Sequence, residues 1–382
     1  MIKNRTALVA ALAAAAFAAA NPALALDTRT VSGSYGDLSW TAQSNIVGVT
    51  STATGAAGGD PRYFAAMPQY SGVATLIMNY GAGGSFICTG SLMADRRTIL
   101  TAAHCVSNGT AERPLSTSVY FYNGSNPDTF PSSTPSFSYG VSNYTVHSAY
   151  TGHVIDQNDI AMLTLDNWVD SSISTYDLYT GDLTGQGYNI AGYGGRSDTG
   201  GNAGANLGTG RLRQGDNRYD FRMGDADFLY PDGRTVWSDV LGEPSSQIEY
   251  TYLADFDNGK SANDASCRTV VLGLGVPASS KYCDLGVGAD EVSSAGGDSG
   301  GPEFVDGKIA SVTSFGLSFG SYYGDIKSGL NSSFGEFNGF VPTSIHADFI
   351  RSSFVPEPAS LALVGLGLLG LGVSRRKKQQ QG

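Results

Sequence analysis

Short runs of apolar residues, separated by glycine, serine and threonine, dominate the middle of the chain. Residues 73–78 (VATLIM) are one such run. Apolar runs of this length between turn-forming residues are typical of β-strands, and the 51 glycines supply the turns. Helical periodicity is missing between the two ends, except that Ile345, Phe349 and Ile350 could share one face of a helix over residues 344–354. The pattern therefore predicts an all-β fold with a short C-terminal helix.

The first 25 residues have the layout of a secretory signal peptide. Lys3 and Arg5 precede an alanine-rich apolar run, and the segment closes on residues 23–25 (ALA). A cationic start, an apolar middle and small residues at the end are the parts of such a signal, so we expect cleavage after Ala25. An alanine-rich amphipathic helix is the alternative, but this segment has no polar face.

The C-terminal tail also has three parts. Residues 355–358 (VPEP) precede an apolar stretch at 359–373, and four cationic residues follow at 375–378. As a helix, this stretch is roughly 22 Å long, which is short of the hydrocarbon core of a membrane. The segment 355–378 resembles the PEP-CTERM sorting signal of Gram-negative bacteria. The resemblance implies transient membrane contact and processing by an exosortase, followed by release or attachment outside the cell; a permanent short membrane anchor is the alternative.

The two ends carry six of the 23 lysines and arginines, which leaves 17 against 34 aspartates and glutamates. The processed chain would therefore have a net charge near −17, compared with −11 for the whole chain. Such a surface repels nucleic acid and suits a soluble extracellular protein. We therefore expect no nucleic-acid partner.

Three short segments contain residues that are suited to acyl transfer. Residues 101–105 (TAAHC) include His104, residues 158–161 (NDIA) include Asp159, and residues 297–302 (GDSGGP) include Ser299. A serine hydroxyl needs a base to become a good nucleophile, an imidazole can be that base, and a carboxylate can hold the imidazole in the correct tautomer. In this order, the segments resemble those of the trypsin/chymotrypsin family of serine proteases. The resemblance covers roughly residues 46–354.

The resemblance implies two six-stranded antiparallel β-barrels, chymotrypsin-like, and the activity of a serine endopeptidase. Ser299 would be the nucleophile, His104 the general base and Asp159 the acid that orients it. The backbone N–H groups of Gly297 and Ser299 would form the oxyanion hole. Asp156 could compete with Asp159, but the apolar run that follows Asp159 places that carboxylate at the start of a buried strand.

The four cysteines suit an exported chain and allow three pairings. The resemblance selects Cys88 with Cys105 and Cys267 with Cys283. Family members commonly have a further cysteine beside the nucleophile, where this chain has Ala295. The resemblance therefore implies a looser specificity pocket.

Residues 46–49 (IVGV) resemble the start of mature family members. In the family, the aspartate at the position of Asp298 pairs with a newly exposed amino terminus and switches the oxyanion hole on. The resemblance thus implies an ion pair between Asp298 and Ile46, with residues 26–45 as a short pro-segment. A plain β-strand is the alternative, because Asn45 is an unusual cleavage site.

The resemblance also places the substrate pocket. Ser293 would occupy its base, where trypsin-type enzymes carry an aspartate. Ser314, Phe315 and Gly316 look like the edge strand that pairs with the substrate backbone, and Gly316 and Gly339 would leave the pocket walls open. Since a neutral side chain at the bottom of the pocket has no charge to pair with Lys or Arg, we expect preference for Phe, Tyr, Leu or Met over Lys at the cleaved position.

Residues 192–194 (GYG) resemble the segment between the two barrels, and more residues follow than the family pattern requires. The excess is glycine-rich at 195–206 and dense in Arg, Asp and Tyr at 211–244. We interpret it as a solvated hairpin insertion, with an exosite or a covering flap as the alternative.

Residues 255–259 (DFDNG), with Asp264 and Glu291, could supply oxygen ligands for Ca²⁺. They fail the EF-hand pattern, because the glycine is at the fifth position and not the sixth. We interpret them as an acidic turn, and Ca²⁺ at Asp255 and Asp257 is the alternative. The sequence otherwise predicts no cofactor, since no Cys/His set has zinc spacing and no phosphate-binding glycine loop opens a helix.

Two other functions remain open to this sequence. A catalytically idle protease-fold protein that binds extracellular matrix or exopolysaccharide would suit the sorting tail, although the intact triad argues against it. An α/β-hydrolase could use Ser299, Asp325 and His346, because the serine segment also fits its nucleophile motif. That fold needs alternating strands and helices, which the sequence lacks, and it leaves the His104 segment unexplained.

Overall fold

The computed structural model describes residues 30–44, 46–49, 60–109, 112–124 and 136–356. Its first strands are β1 (Thr30–Tyr35), β2 (Leu38–Ser44), β3 (Ile46–Val49), β4 (Val73–Asn79), β5 (Ser85–Leu92), β6 (Thr98–Thr101), β7 (Ser116–Tyr122), β8 (Ser136–Val146) and β9 (Ala161–Leu165). The later strands are β10 (Gly187–Gly192), β11 (Arg213–Arg218), β12 (Phe221–Arg222), β13 (Tyr252–Phe256), β14 (Ser293–Ala295), β15 (Pro302–Val305), β16 (Lys308–Ser318) and β17 (Glu336–Pro342). The α-helices of the described residues are α1 (Val236–Leu241), α2 (Ser245–Ile248), α3 (Ala265–Cys267) and α4 (Ala347–Ser352).

Strands β4 to β9 close into a six-stranded antiparallel barrel, in the order β4-β5-β6-β9-β8-β7. The apolar run at 73–78 lies on β4, and Leu76 on that strand is fully buried in the barrel core with Leu100 and Leu163. Gly90 on β5 lets two strands approach closely, because a Cβ at this position would lie 2.6 Å from Cγ2 of Ile99. The run that predicted a strand is therefore a wall of this barrel.

The second unit is a broad antiparallel sheet in the order β11-β10-β15-β16-β17-β13-β12, with β2 and β1 added alongside β16. The all-β fold class is confirmed, and the α-helices of the described residues are short. The described residues of this second unit form an open sheet, whereas the prediction was a second closed six-stranded barrel. The hairpin of β1 and β2 widens the sheet beyond what the family pattern implied.

The interpretation of residues 211–244 as a solvated hairpin is wrong. This segment supplies β11, β12 and α1, and its aromatic residues form part of a buried core. Trp237 is fully buried and stacks on Phe221 with ring centroids 5.4 Å apart. Burial of these large aromatic rings stabilises the second unit. The charged residues of the segment had suggested a solvated loop and gave no indication of its buried positions.

The hairpin of β1 and β2 packs on the second unit through alternate side chains. Leu38, Trp40 and Ala42 of β2 are buried, as expected when successive residues of a strand face opposite sides. The Trp40 indole donates a hydrogen bond to the Val240 carbonyl of α1 at 2.7 Å. Residues 30–44 of the predicted pro-segment therefore form a hairpin that packs on the second unit of the full-length chain.

Helix α4 is shorter than the predicted helix over residues 344–354. Ile350 is fully buried as expected, and Phe349 packs against the core. Ile345 is 38% exposed, because Thr343–His346 forms a 3₁₀ turn whose tighter winding places this side chain away from the core.

Both disulfides predicted from the resemblance are present. Cys88 on β5 bonds with Cys105, and Cys267 in α3 bonds with Cys283. They span 17 and 16 residues, so each stabilises the fold by about 3 kcal/mol through restriction of the unfolded chain. The first bond also ties β5 to the turn that contains His104.

A buried carboxyl group on β15 makes stability depend on pH. Glu303 accepts hydrogen bonds from the hydroxyls of Ser311 and Thr313, and burial raises its pKa to about 8. Because the pKa of Glu303 is higher in the folded chain than in the unfolded chain, its neutral carboxyl group contributes fully to stability at pH values below the unfolded pKa. This contribution is lost as the pH rises through the folded pKa of about 8. We expect Glu303→Gln to remove roughly 3–5 kcal/mol of the stability difference between pH 5 and pH 9.

Urea unfolding of Ser299→Ala protein at both pH values measures this difference, with the exposed Glu112→Gln as control. An unchanged pH dependence in Glu303→Gln would show that Glu303 is ionised in the folded chain.

Candidate active site

His104 and Asp159 are brought together by neighbouring strands of the closed barrel. His104 follows β6 in a 3₁₀ turn, Asp159 precedes β9, and Thr101 of β6 is paired with Ala161 of β9. The His104 Nδ1 atom lies 2.7 Å from Asp159 Oδ2, and the backbone N–H of His104 donates to Asp159 Oδ1 at 2.8 Å. A carboxylate on Nδ1 fixes the ring so that Nε2 can act as a base.

Ser314 adds a third contact to the same carboxylate. Its Oγ donates to Asp159 Oδ2 at 2.5 Å, from a position in β16 where the register with β17 shifts. The sequence assigned Ser314 only to the substrate edge, because 155 residues separate it from Asp159 and no local motif connects them. The hydrogen bond fixes the carboxylate that faces His104.

Asp156 does not compete for His104, because its oxygens bind its own loop. Asp156 accepts hydrogen bonds from the backbone N–H groups of Thr151 and Asn158, both at 2.8 Å. Two other histidines pack against each other: His147 lies edge-on to His346, with ring centroids 4.6 Å apart. The structure therefore places Asp159, and not Asp156, beside His104.

The loop that contains Ser299 packs directly against the His104 segment. The Ser299 carbonyl accepts from the backbone N–H of Thr89 on β5 at 2.9 Å. Gly300 has a φ of +81°, and a Cβ there would lie 2.0 Å from Oγ1 of Thr101 and 2.7 Å from the backbone nitrogen of Ala102. Only glycine permits this approach, which brings the serine loop against the turn that leads into His104.

All three predicted catalytic residues are buried in the full-length chain. His104 and Asp159 are almost fully buried, and the exposed fraction of Ser299 is 0%. Gly297 has a φ of +107°, so its backbone conformation also requires glycine. The Ser299 side chain is therefore not exposed to solvent in the full-length chain.

Asp298 is a buried carboxylate that faces backbone amides. It accepts hydrogen bonds from the N–H groups of Gly194 at 2.8 Å and Ala295 at 3.2 Å. Burial raises its pKa to about 6, and these two hydrogen bonds oppose the rise. No Lys or Arg of the described ranges forms an ion pair with it.

The backbone of Ile46 pairs with a residue that binds the Asp298 carboxylate. Strand β3 pairs with β14, and both Ile46 and Val47 are opposite Ala295, whose N–H binds Asp298. In the continuous chain, the Ile46 nitrogen is an amide, so the predicted ion pair requires cleavage of the preceding bond. Asn45 and the predicted signal peptide lie outside the described residues.

The edge predicted to bind substrate is covered by the chain's own N-terminal hairpin. Strand β2 runs antiparallel to β16, with Ser44 opposite Phe315 and Gln43 opposite Gly316. Peptides bind exposed sheet edges in this manner, by strand addition. The hairpin therefore occupies the backbone groups that a substrate would use.

The base of the predicted pocket is neutral. Ser293 is buried and donates from Oγ to Oδ1 of Asn338 at 2.9 Å, and Ser294 donates to the same oxygen at 2.7 Å. Asn338 is a residue that sequence reasoning missed, since it is distant in the chain and lies in no motif. The expectation of an open wall at Gly339 is wrong for this chain, because a Cβ there would lie 2.2 Å from the Phe315 ring.

Comparisons with known proteins agree with these motifs. Residues 62–223 match the trypsin family model and include His104 and Asp159, while Ser299 lies beyond the match. Residues 354–377 match the PEP-CTERM protein-sorting motif. No curated protein matches the chain.

Two solved structures are similar to this one. The structure described as HL collagenase has 19% sequence identity and a TM-score of 0.47, and the alignment covers 78% of this chain and 99% of that one. Neuropsin, a serine protease of mouse brain, has 18% identity and a TM-score of 0.47, with 77% and 99% covered. Within the described ranges, no helix is long and apolar enough to span a membrane. The chain contains a trypsin-family domain, followed by a PEP-CTERM protein-sorting motif.

Proposed function

We propose that this chain is an exported serine endopeptidase that hydrolyses peptide bonds through Ser299, His104 and Asp159. The observation that carries the proposal is the buried contact of His104 Nδ1 with Asp159 Oδ2, next to the loop that contains Ser299. An idle protease-fold protein that binds exopolysaccharide is the second candidate, since Ser299 is fully buried in the full-length chain. Covalent labelling of Ser299 separates the two.

The mechanism follows from the roles of the three side chains. Ser299 Oγ attacks the substrate carbonyl carbon while its proton passes to His104 Nε2, and Asp159 stabilises the imidazolium that forms. The N–H groups of Gly297 and Ser299 bind the oxyanion. When the C–N bond breaks, Nε2 returns the proton to the leaving amine, and an acyl group stays on Ser299. Water, activated by the same imidazole, then releases the acid.

The substrate class that we propose is a peptide with an apolar residue at the cleaved position. The neutral Ser293 and Asn338 support this proposal, because a buried pocket base without a carboxylate gives no partner to Lys or Arg. We expect kcat/KM for Phe, Tyr, Leu or Met to exceed that for Lys or Arg by at least about tenfold. Matched peptides that differ only at this position measure the ratio.

A variant at the pocket base sharpens the test. Ser293→Asp should move the preference towards Lys and Arg, whereas Ser293→Asn should keep it apolar. Faster turnover of a Lys substrate by the unmodified enzyme would contradict the proposed pocket.

We further propose that residues 26–45 are a pro-segment and that residues 46–354 form the mature protease. The support is that β2 lies along β16 where a substrate would pair, and that β3 lies opposite Ala295 beside Asp298. The ion pair between Asp298 and the new amino group of Ile46 would form only after cleavage.

For location, the PEP-CTERM motif indicates export and C-terminal sorting. We propose that an exosortase removes the tail near residues 356–358 and that the enzyme is then released or held at the cell surface. The tail beyond residue 356 lies outside the described residues. We expect the intact mass of protein from the native host to exclude residues 361–378; a mass that includes them would favour the permanent anchor.

A further inference from the structure

Three carboxylates of the second unit meet in the protein interior. Asp255 lies on β13, Asp257 follows that strand, and Glu291 precedes β14. One oxygen from each lies within 4.8 Å of the other two. The exposed fractions of the three residues are 4%, 0% and 1%, so the expected acidic turn is in fact a buried cluster.

No cationic side chain of the described part of the chain forms an ion pair with this cluster. Its hydrogen bonds come from backbone N–H groups: Ser266 donates to Asp255, Gly259 to Asp257, and Asp257 to Glu291. Buried charges of one sign need a counter-ion.

One oxygen of the cluster lacks a hydrogen-bond partner within the described part of the chain and is therefore available to a counter-ion. Asp257 Oδ2 is fully buried and has no hydrogen-bond partner among the described residues, and Oδ1 of the adjacent Asn258 is in the same situation. Buried acceptors are nearly always satisfied by a donor or an ion. The unpaired Asp257 Oδ2 is thus a second observation, independent of the clustering, that indicates a ligand.

We propose that Asp255, Asp257 and Glu291 bind a Ca²⁺ ion. The donors are carboxylate oxygens, which hard cations prefer, and the cluster contains no Cys or His. The three oxygens lie close enough to share one ion, and Ca²⁺ accepts six to eight oxygen ligands in a flexible arrangement, whereas Mg²⁺ requires a near-ideal octahedron.

The site connects two elements next to the proposed pocket. Asp255 and Asp257 belong to the end of β13, and Glu291 is two residues before Ser293 at the start of β14. An ion bound by both segments would hold the residues that precede Ser293 in place against the end of β13. Ca²⁺ is therefore a structural ion of the second unit, and the proposal does not depend on catalysis.

The test uses the full chain with Ser299→Ala, freed of metal with EDTA. Calorimetric titration with CaCl₂ should show one site, and Ca²⁺ at 100 times its Kd should raise Tm by about 5 °C or more. Asp257→Asn should lose both effects. Asp325→Asn removes a comparably buried carboxylate that binds Ser318 outside the cluster, and it should retain them.

Several results would overturn the proposal. These are no Ca²⁺ binding by the folded parent, an undiminished Tm shift in Asp257→Asn, or equal affinity for MgCl₂. Glu291→Gln is a second variant in case Asp257→Asn does not fold, and it should likewise lose the shift.

Discussion

Replacing Ser299 by alanine is expected to lower kcat by about 10⁶-fold while the fold remains intact. In the proposed mechanism, the oxygen of this hydroxyl forms the acyl-enzyme, and alanine has no group that could replace it. Residual activity above the uncatalysed rate would come from the oxyanion hole and substrate binding alone. Steady-state kinetics on an apolar peptide measures the loss, with the exposed Ser321→Ala as matched control and circular dichroism as the check on folding.

The three residues should act as one unit. His104→Ala is expected to lose about as much activity as Ser299→Ala, and the double variant should be no worse than either. Additive losses would mean that the two side chains act in separate steps. Substantial turnover by Ser299→Ala would refute Ser299 as the nucleophile.

Cleavage between Asn45 and Ile46 is expected to raise kcat/KM by at least about 10²–10³-fold, the effect of one oxyanion-hole donor. In the proposed mechanism, two features of the full-length chain would block activity. Strand β2 occupies the edge of β16 that would receive substrate, and the buried Asp298 forms no ion pair with a Lys or Arg of the described residues. A cavity lined by Gly192, Gly194 and Ser293 lies beside Asp298 and could receive the new terminus.

Cleavage on demand tests this expectation. Asn45→Arg permits a trypsin cut before Ile46, and activity is compared before the cut, after it, and after gel filtration, since Trp40 would hold the cut hairpin on α1. Asp298→Asn should abolish the increase, and Asp325→Asn should not. Unchanged kcat/KM after the cut, or native active enzyme that begins at Leu26, would rule out the pro-segment.

The sequence predicted the elements that local patterns encode. The β-strand at 73–78, the segments around His104 and Asp159 and the cysteine pairs depend on neighbouring residues or on short motifs. The contacts of Ser314 with Asp159 and of Asn338 with Ser293 join residues far apart in the chain. Such contacts arise only when the sheets have folded, so no motif indicates them.

The burial of polar and charged segments could not be predicted from the sequence. The Trp237 ring is in a segment whose charged residues suggested a solvated insertion, yet packing against Phe221 removes it from water. The carboxylates of Asp255 and Asp257 looked like an exposed turn, because acidic residues are usually solvated. In both segments, the tertiary environment determined the outcome, and composition alone could not.

Covalent labelling with a fluorophosphonate probe tests the central claim most directly. The processed enzyme should take one label, and peptide mapping should place it on Ser299. Ser299→Ala should take none, and His104→Ala should react far more slowly because the hydroxyl has lost its base. A processed, folded enzyme that stays unlabelled, or that carries its label on another residue, would contradict the proposed triad.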